Sequence, residues 1–215
     1  MFLENVVFDA LDPNQLGRFW EAALDTETLT DEPAGFETRL HHPDGPVLDL
    51  CFQPVPDPPS EPLRLHLVLA QSAAPQALAD TEGNPVLVAV EQEEYADTGP
   101  LVALRLDSAD PDRDGALWEW LTGWTPVPGT APVSLRHPSR RGPVLELHRE
   151  AEPKGPGKNR RHLDVRLERG DDPDQVARGI VERGGSELVH DWGTLPWRSY
   201  VDASGNEFCV LPAPA

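Results

Sequence analysis

The chain has 215 residues, enough for two units of roughly a hundred residues, each able to bury its own core. Its formal net charge is -19, and so acidic a surface repels phosphate backbones and anionic lipid, which argues against nucleic-acid and membrane partners. No stretch approaches the apolar length of a membrane span and the opening residues lack a signal-like pattern, so a cytoplasmic monomer or homodimer is expected.

A first strand is predicted over residues 6–10. Asp12 is then an N-cap, Pro13 suits the first helical position, and Gln15 stands where a capping side chain reaches back. Leu16, Phe19, Trp20, Ala23 and Leu24 fall on one helical face. Strands over 36–40 and 47–53 flank a His42-Pro43-x-Gly45 turn, and a proline-rich connector over 54–62 leads to a strand over 63–69. A strand over 102–106 opens a second series. Asp110-Pro111 starts its helix, with Leu117, Trp120, Leu121 and Trp124 as the stripe. Strands over 133–136 and 143–148, a connector over 151–159 and a strand over 161–167 follow. A helix capped by Asp172-Pro173 comes next, with Val176, Ala177, Ile180 and Val181 facing inward, then strands near 197–202 and 207–211.

The second series repeats the first. Asp9, Asp12-Pro13 and Phe19-Trp20-Glu21 return as Asp107, Asp110-Pro111 and Leu117-Trp118-Glu119. Arg64-x-His66-Leu67 returns as Arg160-x-His162-Leu163, and Asp80-x-x-Gly83-Asn84 as Asp202-x-x-Gly205-Asn206. Signatures shared in one order mark a tandem duplication. The expected plan is α+β, with four β-α-β-β-β modules in two domains, residues 1–97 and 98–215. Residues 70–79 are too few for a helix and its strands, so the second module is expected to lack its helix.

Strand alternation sorts the polar side chains. Arg64, His66 and Val68 share one face, as do Arg160, His162, Asp164 and Arg166. Asp49 and Cys51 lie together, as do Glu146 and His148, and Glu207 and Cys209. The second half is therefore expected to gather Glu146, His148, His162, Asp164, Glu207 and Cys209 on one concave surface. Carboxylate and imidazole together serve metal binding or acid-base chemistry; the competing reading is a set of hydrogen-bonded groups inside a cup. Trp192 and Trp197 flank a loop that either walls an apolar ligand or covers the sheet edge. Arg160 and Arg161 either attract an anion or form ordinary salt bridges. Cys51 and Cys209 lie in apolar runs without metal-type spacing and read as reduced core residues.

Val7-Phe8-Asp9 with Phe19-Trp20, Lys158-Asn159-Arg160-x-His162-Leu163-Asp164, and residues 202–210 resemble the vicinal oxygen chelate superfamily, in particular the glyoxalase-like proteins of actinobacteria. The resemblance implies cup-shaped mixed sheets with helices outside and a small-molecule ligand. Members include glyoxalase I, extradiol dioxygenases, fosfomycin resistance enzymes and metal-free bleomycin-sequestering proteins. The family's metal positions fall here on Val6, Asp49, His66 and Leu87 and on Leu104, Glu146, His162 and Cys209, and three of these are aliphatic. The resemblance thus implies a cup for an apolar or aromatic metabolite or antibiotic without a full metal site. Asp49, Arg64, His66, His148, Arg160, Asp164, Trp192 and Trp197 are its candidate ligand-binding residues. The alternative is a lyase, isomerase or dioxygenase with catalytic Glu146 and His162 and one divalent metal (Ni, Zn, Mn or Fe) held by Glu146, His162 and Cys209. A duplication that only builds an interface is the third reading.

Overall fold

The computed structural model describes residues 1–58, 60–189, 193 and 195–214. Module one comprises β1 (Phe2–Ala10), α1 (Pro13–Leu24), β2 (Glu27–Glu32), β3 (Gly35–His41) and β4 (Val47–Pro54). Module two has only β5 (Leu65–Leu69) and β6 (Leu87–Val88), with single 3-10 turns at Gln71–Ala73 and Glu93–Tyr95 and no α-helix. Module three comprises β7 (Leu101–Ser108), α2 (Pro111–Thr122), β8 (Thr125–Pro126), β9 (Val133–Arg136) and β10 (Val144–Arg149). Module four comprises β11 (Arg161–Arg166), α3 (Pro173–Glu182), β12 (Ser186–Glu187), β13 (Arg198–Val201) and β14 (Glu207–Leu211).

Local chemistry explains the helices. The carboxylates of Asp12, Asp110 and Asp172 accept from the backbone N–H of Gln15, Arg113 and Gln175 respectively, and each is followed by proline. Helix α1 buries Leu16, Trp20 and Leu24, one residue per turn. Its Gly17 lies against Phe36, where a Cβ would come within 2.2 Å of the ring. Helix α2 turns differently from its apolar stripe. Trp118 is buried and Trp120 only partly covered, because Asp114 faces inward to accept from Ser108 and Ser204. In α3, Val181 is 59 % exposed, while Val176 and Ile180 pack inward.

The strands form two mixed sheets. One runs β12-β13-β14-β11-β1-β4-β3-β2 and the other β6-β5-β7-β10-β9-β8. Modules one and four therefore share the first sheet and modules two and three the second. The boundary between sequence repeats, at 97/98, is not a boundary between sheets. The joins are antiparallel pairings of opening strands: Val7 opposite His162 and Asn5 opposite Asp164 between β1 and β11, and His66 opposite Arg105 between β5 and β7.

Repeated side chains lock this exchange from both directions. In the turns at 80–84 and 202–206, Asp80 Oδ1 accepts from Asn84 N and Asp202 Oδ1 from Asn206 N. Gly83 and Gly205 supply φ of 79° and 81°, which favour glycine. Arg64 reaches from module two to module four, where its Nε donates to Asn206 Oδ1 (2.8 Å). Arg160 and Arg161 reach from module four to module two, onto Glu82 (2.5 Å) and Asp80 (2.9 Å). The Arg161 guanidinium also lies over the rings of Phe8 and Trp20. A continuous hydrophobic core, with Trp20, Trp118, Trp124 and Phe208 in it, joins helices and sheets. Among the described residues, no helix is long and apolar enough to cross a membrane.

Candidate functional site

The concave face of the first sheet holds a cavity of about 470 Å³. The register decides its floor. In β1, Val6 and Phe8 point into the core, which leaves Asn5 and Val7 on the cup side. Beside them stand Cys51 from β4, His162 and Asp164 from β11, and Cys209 from β14. Leu188, Leu195, Pro196 and Trp197 contribute an apolar wall, and Lys158, Arg166 and Glu207 complete the lining. Lys158 Nζ donates to Asp9 (2.5 Å), Arg166 pairs with Glu4 (2.5 Å) and Glu207 pairs with Lys154 (3.3 Å).

Burial dominates the electrostatics of the floor. It pushes the His162 imidazole down to about 4, with the Lys158 charge adding to the effect. It pushes Asp164 up to about 7 against hydrogen bonds from Asn5 and Cys209, and the Cys209 thiol up to about 12. The 3.4 Å contact between His162 Nε2 and Asp164 Oδ1 is close enough for an ion pair. Burial disfavours charge on both partners, so we read it as a contact of neutral imidazole with a carboxyl poised to ionise near neutral pH. Asn5 Nδ2 donates to Asp164 Oδ2 (3.2 Å), whereas Asp164 Oδ1 and His162 Nδ1 are buried with no hydrogen-bond partner. Asn5, His162 and Asp164 thus form a hydrogen-bonding floor beneath a largely apolar cavity.

His162, Asp164 and Cys209 place one donor atom each within 4.8 Å of one another. His162 Nε2 stands 3.4 Å from Asp164 Oδ1 and 3.9 Å from Cys209 Sγ. Zinc–ligand bonds of about 2.0 Å to nitrogen and oxygen and about 2.3 Å to sulfur put tetrahedral neighbours roughly 3.3–3.6 Å apart. The three donors suit a small divalent cation in kind; the His162–Asp164 spacing matches and the His162–Cys209 spacing is longer.

The expected gathering of Glu146 with His162 is corrected: Glu146 lies on β10 of the second sheet and His162 on β11 of the first. Each half lends one module to each sheet, so the two modules of one half do not share a surface. His66 and His148 likewise belong to the second sheet. Arg64 and Arg160 are outside the cavity lining, occupied by the locks between modules. Asp49 is also outside it, in a two-pronged pair with Arg39 (2.7 Å each). Two of the three aliphatic positions shift by one residue, with Val7 rather than Val6 on the first floor and Arg105 rather than Leu104 beside Glu146. Trp192 lies outside the described residues. Asn5 and Val7 escaped the sequence reading, although continuing the alternation back from Phe8 would have reached them.

In the second cup the buried carboxylate is answered within the chain. Glu146, 2 % exposed, accepts from Tyr95 Oη (2.8 Å) and Thr130 Oγ1 (3.0 Å), and His148 Nε2 lies 3.0 Å away. Burial alone would raise its carboxyl, but the hydrogen bonds from His148, Tyr95 and Thr130 prevail and hold it below the ordinary glutamate value.

Residues 5–84 and 103–211 match the glyoxalase-like domain family. Glyoxalase I from Zea mays superposes with a TM-score of 0.66 at 16 % identity, covering 98 % of this chain and 92 % of that one. A proposed dioxygenase from Bacillus subtilis superposes at 0.63 and 15 % identity, covering 100 % and 86 %. The CppA protein of Streptococcus pneumoniae superposes at 0.52 and 11 % identity, covering 99 % and 98 %. At these identities the likeness is one of fold. No curated protein matches the chain significantly.

Proposed function

For a chain that belongs to the glyoxalase-like domain family, within the vicinal oxygen chelate superfamily, we propose a small-molecule binding role centred on the cup of modules one and four. The observation that carries this reading is the pairing of an apolar cavity with a polar floor of Asn5, His162 and Asp164. The ligand is a small apolar or aromatic molecule with a polar group directed at that floor. Trp197, 36 % exposed on the wall, offers a ring face to it. A panel of aromatic metabolites and hydrophobic antibiotics, followed by thermal shift and by the methyl resonances of Val7 and Leu211, tests the proposal. Binding that moves those resonances and is lost in His162→Ala supports it. Binding that leaves them unmoved, or that survives His162→Ala unchanged, contradicts it.

The donor set favours a second reading, in which a divalent cation sits on His162, Asp164 and Cys209. A sulfur donor suits zinc better than manganese. Such an ion would supply Lewis-acid polarisation of a ligand oxygen. His162, neutral through burial, is already in its ligating form. Metal content by mass spectrometry after loading with Ni, Zn, Mn or Fe(II) and desalting decides it. About one ion per chain, lost in His162→Ala and kept in Glu146→Ala, is the expected pattern; no retained ion in the unmodified protein sinks this reading.

A further inference from the structure

We propose that the cup of modules two and three is a second binding site, specific for phenols, which the chain keeps filled with its own Tyr95. The occupant does not come from the sheet. It stands on the single turn Glu93–Tyr95, in the connector between β6 and β7. Its ring packs against the cluster of Val68, Val102, Ala103 and Val144. Its hydroxyl donates to Glu146 Oε1 (2.8 Å) and lies 3.0 Å from Thr130 Oγ1, which also reaches Glu146. An apolar slot for a ring, closed by a buried carboxylate and a hydroxyl, is the complement of a phenol.

The connector is tied at both ends and at Tyr95 itself, whose carbonyl accepts from Thr98 Oγ1 (2.8 Å), so the ring leaves by a swing of its side chain. Ala89 N bonds to Leu69 O at one end, and Ala96 O and Asp97 O receive Arg136 and Gly142 N at the other. Between these ties Val90 is 72 % exposed. A cavity of about 490 Å³ lies alongside, lined by Gln71, Gln92, Tyr95, Thr98 and Val102. It gives the side chain somewhere to swing and a guest a path of entry. Because the occupant is tethered, a free phenol competes against a high effective concentration and binds the intact protein weakly.

The test uses p-cresol, which is the side chain of tyrosine, with toluene as the ring lacking a hydroxyl. In full-length Tyr95→Gly, millimolar p-cresol should raise the melting temperature and shift the methyl resonances of Ala103 and Val144. Toluene should do so at least about tenfold more weakly, because Glu146 then lacks the donor that Tyr95 supplied. Glu146→Gln in the Tyr95→Gly background should weaken p-cresol but not toluene. In the unmodified protein the same two methyls should move, at p-cresol concentrations about tenfold higher or more. This last measurement also decides the matter if Tyr95→Gly does not fold. Equal binding of toluene and p-cresol, shifts confined to Val7 and Leu211 of the first cup, or no shift at Ala103 and Val144 in the unmodified protein overturns the proposal.

Discussion

In the cup of modules one and four, the buried carboxyl of Asp164 keeps one oxygen without a partner. In the cup of modules two and three, the buried Glu146 has Tyr95, Thr130 and His148 around it. Burial pushes Asp164 up to about 7, whereas Glu146 stays below its ordinary value. Burial raises both carboxyls; at Glu146 the hydrogen bonds from His148, Tyr95 and Thr130 outweigh it, and at Asp164 those from Asn5 and Cys209 do not. The contrast separates an open recognition surface from a filled one within one duplicated fold.

The largest expected effect comes from cutting a lock. Asp80→Ala leaves the Arg161 guanidinium buried without its carboxylate and frees the strand that aims His162 and Asp164. Denaturant unfolding should report a loss of about 3–5 kcal/mol. The first cup should lose ligand binding with it; retained binding would mean that the β1–β11 join holds without the lock.

Next come the two carboxyls, with opposite signs. The folded value of Asp164, about 7, lies above the ordinary 3.8, so the unfolded chain releases its proton first and stability falls as pH rises from about 4 to 7. His162 is lowered to about 4 from 6.5, so stability falls as pH drops from about 6.5 to 4, and the two trends largely offset in that window. Asp164→Asn removes the first trend. Above pH 7 it should gain stability, with an upper bound on the order of 4 kcal/mol. Glu146→Gln should instead lose about 1–3 kcal/mol at neutral pH, because a charged acceptor of several hydrogen bonds is removed. Its lowered value means that this contribution is present above the ordinary 4.5 and is lost as pH falls through the folded value. Urea unfolding of both variants from pH 4 to pH 9 checks the contrast, and a shared sign would break it.

The smallest expected effect is at Trp197. Its ring lines the first cavity from the rim, so Trp197→Ala should weaken ligand binding by about tenfold while the melting temperature barely moves. Isothermal titration checks the first part and calorimetry the second. A large fall in stability would recast Trp197 as a cover for the sheet edge.

Much of this architecture is legible in the chain. The caps at Asp12, Asp110 and Asp172 depend on neighbours within three residues, and each stands where the sequence puts it. The missing helix of module two follows from a segment too short to hold one. His162, Asp164, Cys209 and Trp197 are readable as site candidates and meet at the first cavity. Their separation from Glu146 is not readable. Nor is the retirement of Arg64 and Arg160 into locks, because their partners lie across module boundaries.

The sequence alone determined the duplication, the caps and the face of each strand on which a side chain stands, all of them consequences of local spacing. Only the tertiary structure decided which strands share a sheet. Alternation orders side chains along one strand but is silent on its neighbour, and both halves open with a strand able to take either partner. Burial of the common core and the crossed locks of Arg64 and Arg161 select the exchange, and so make one cup open and the other full.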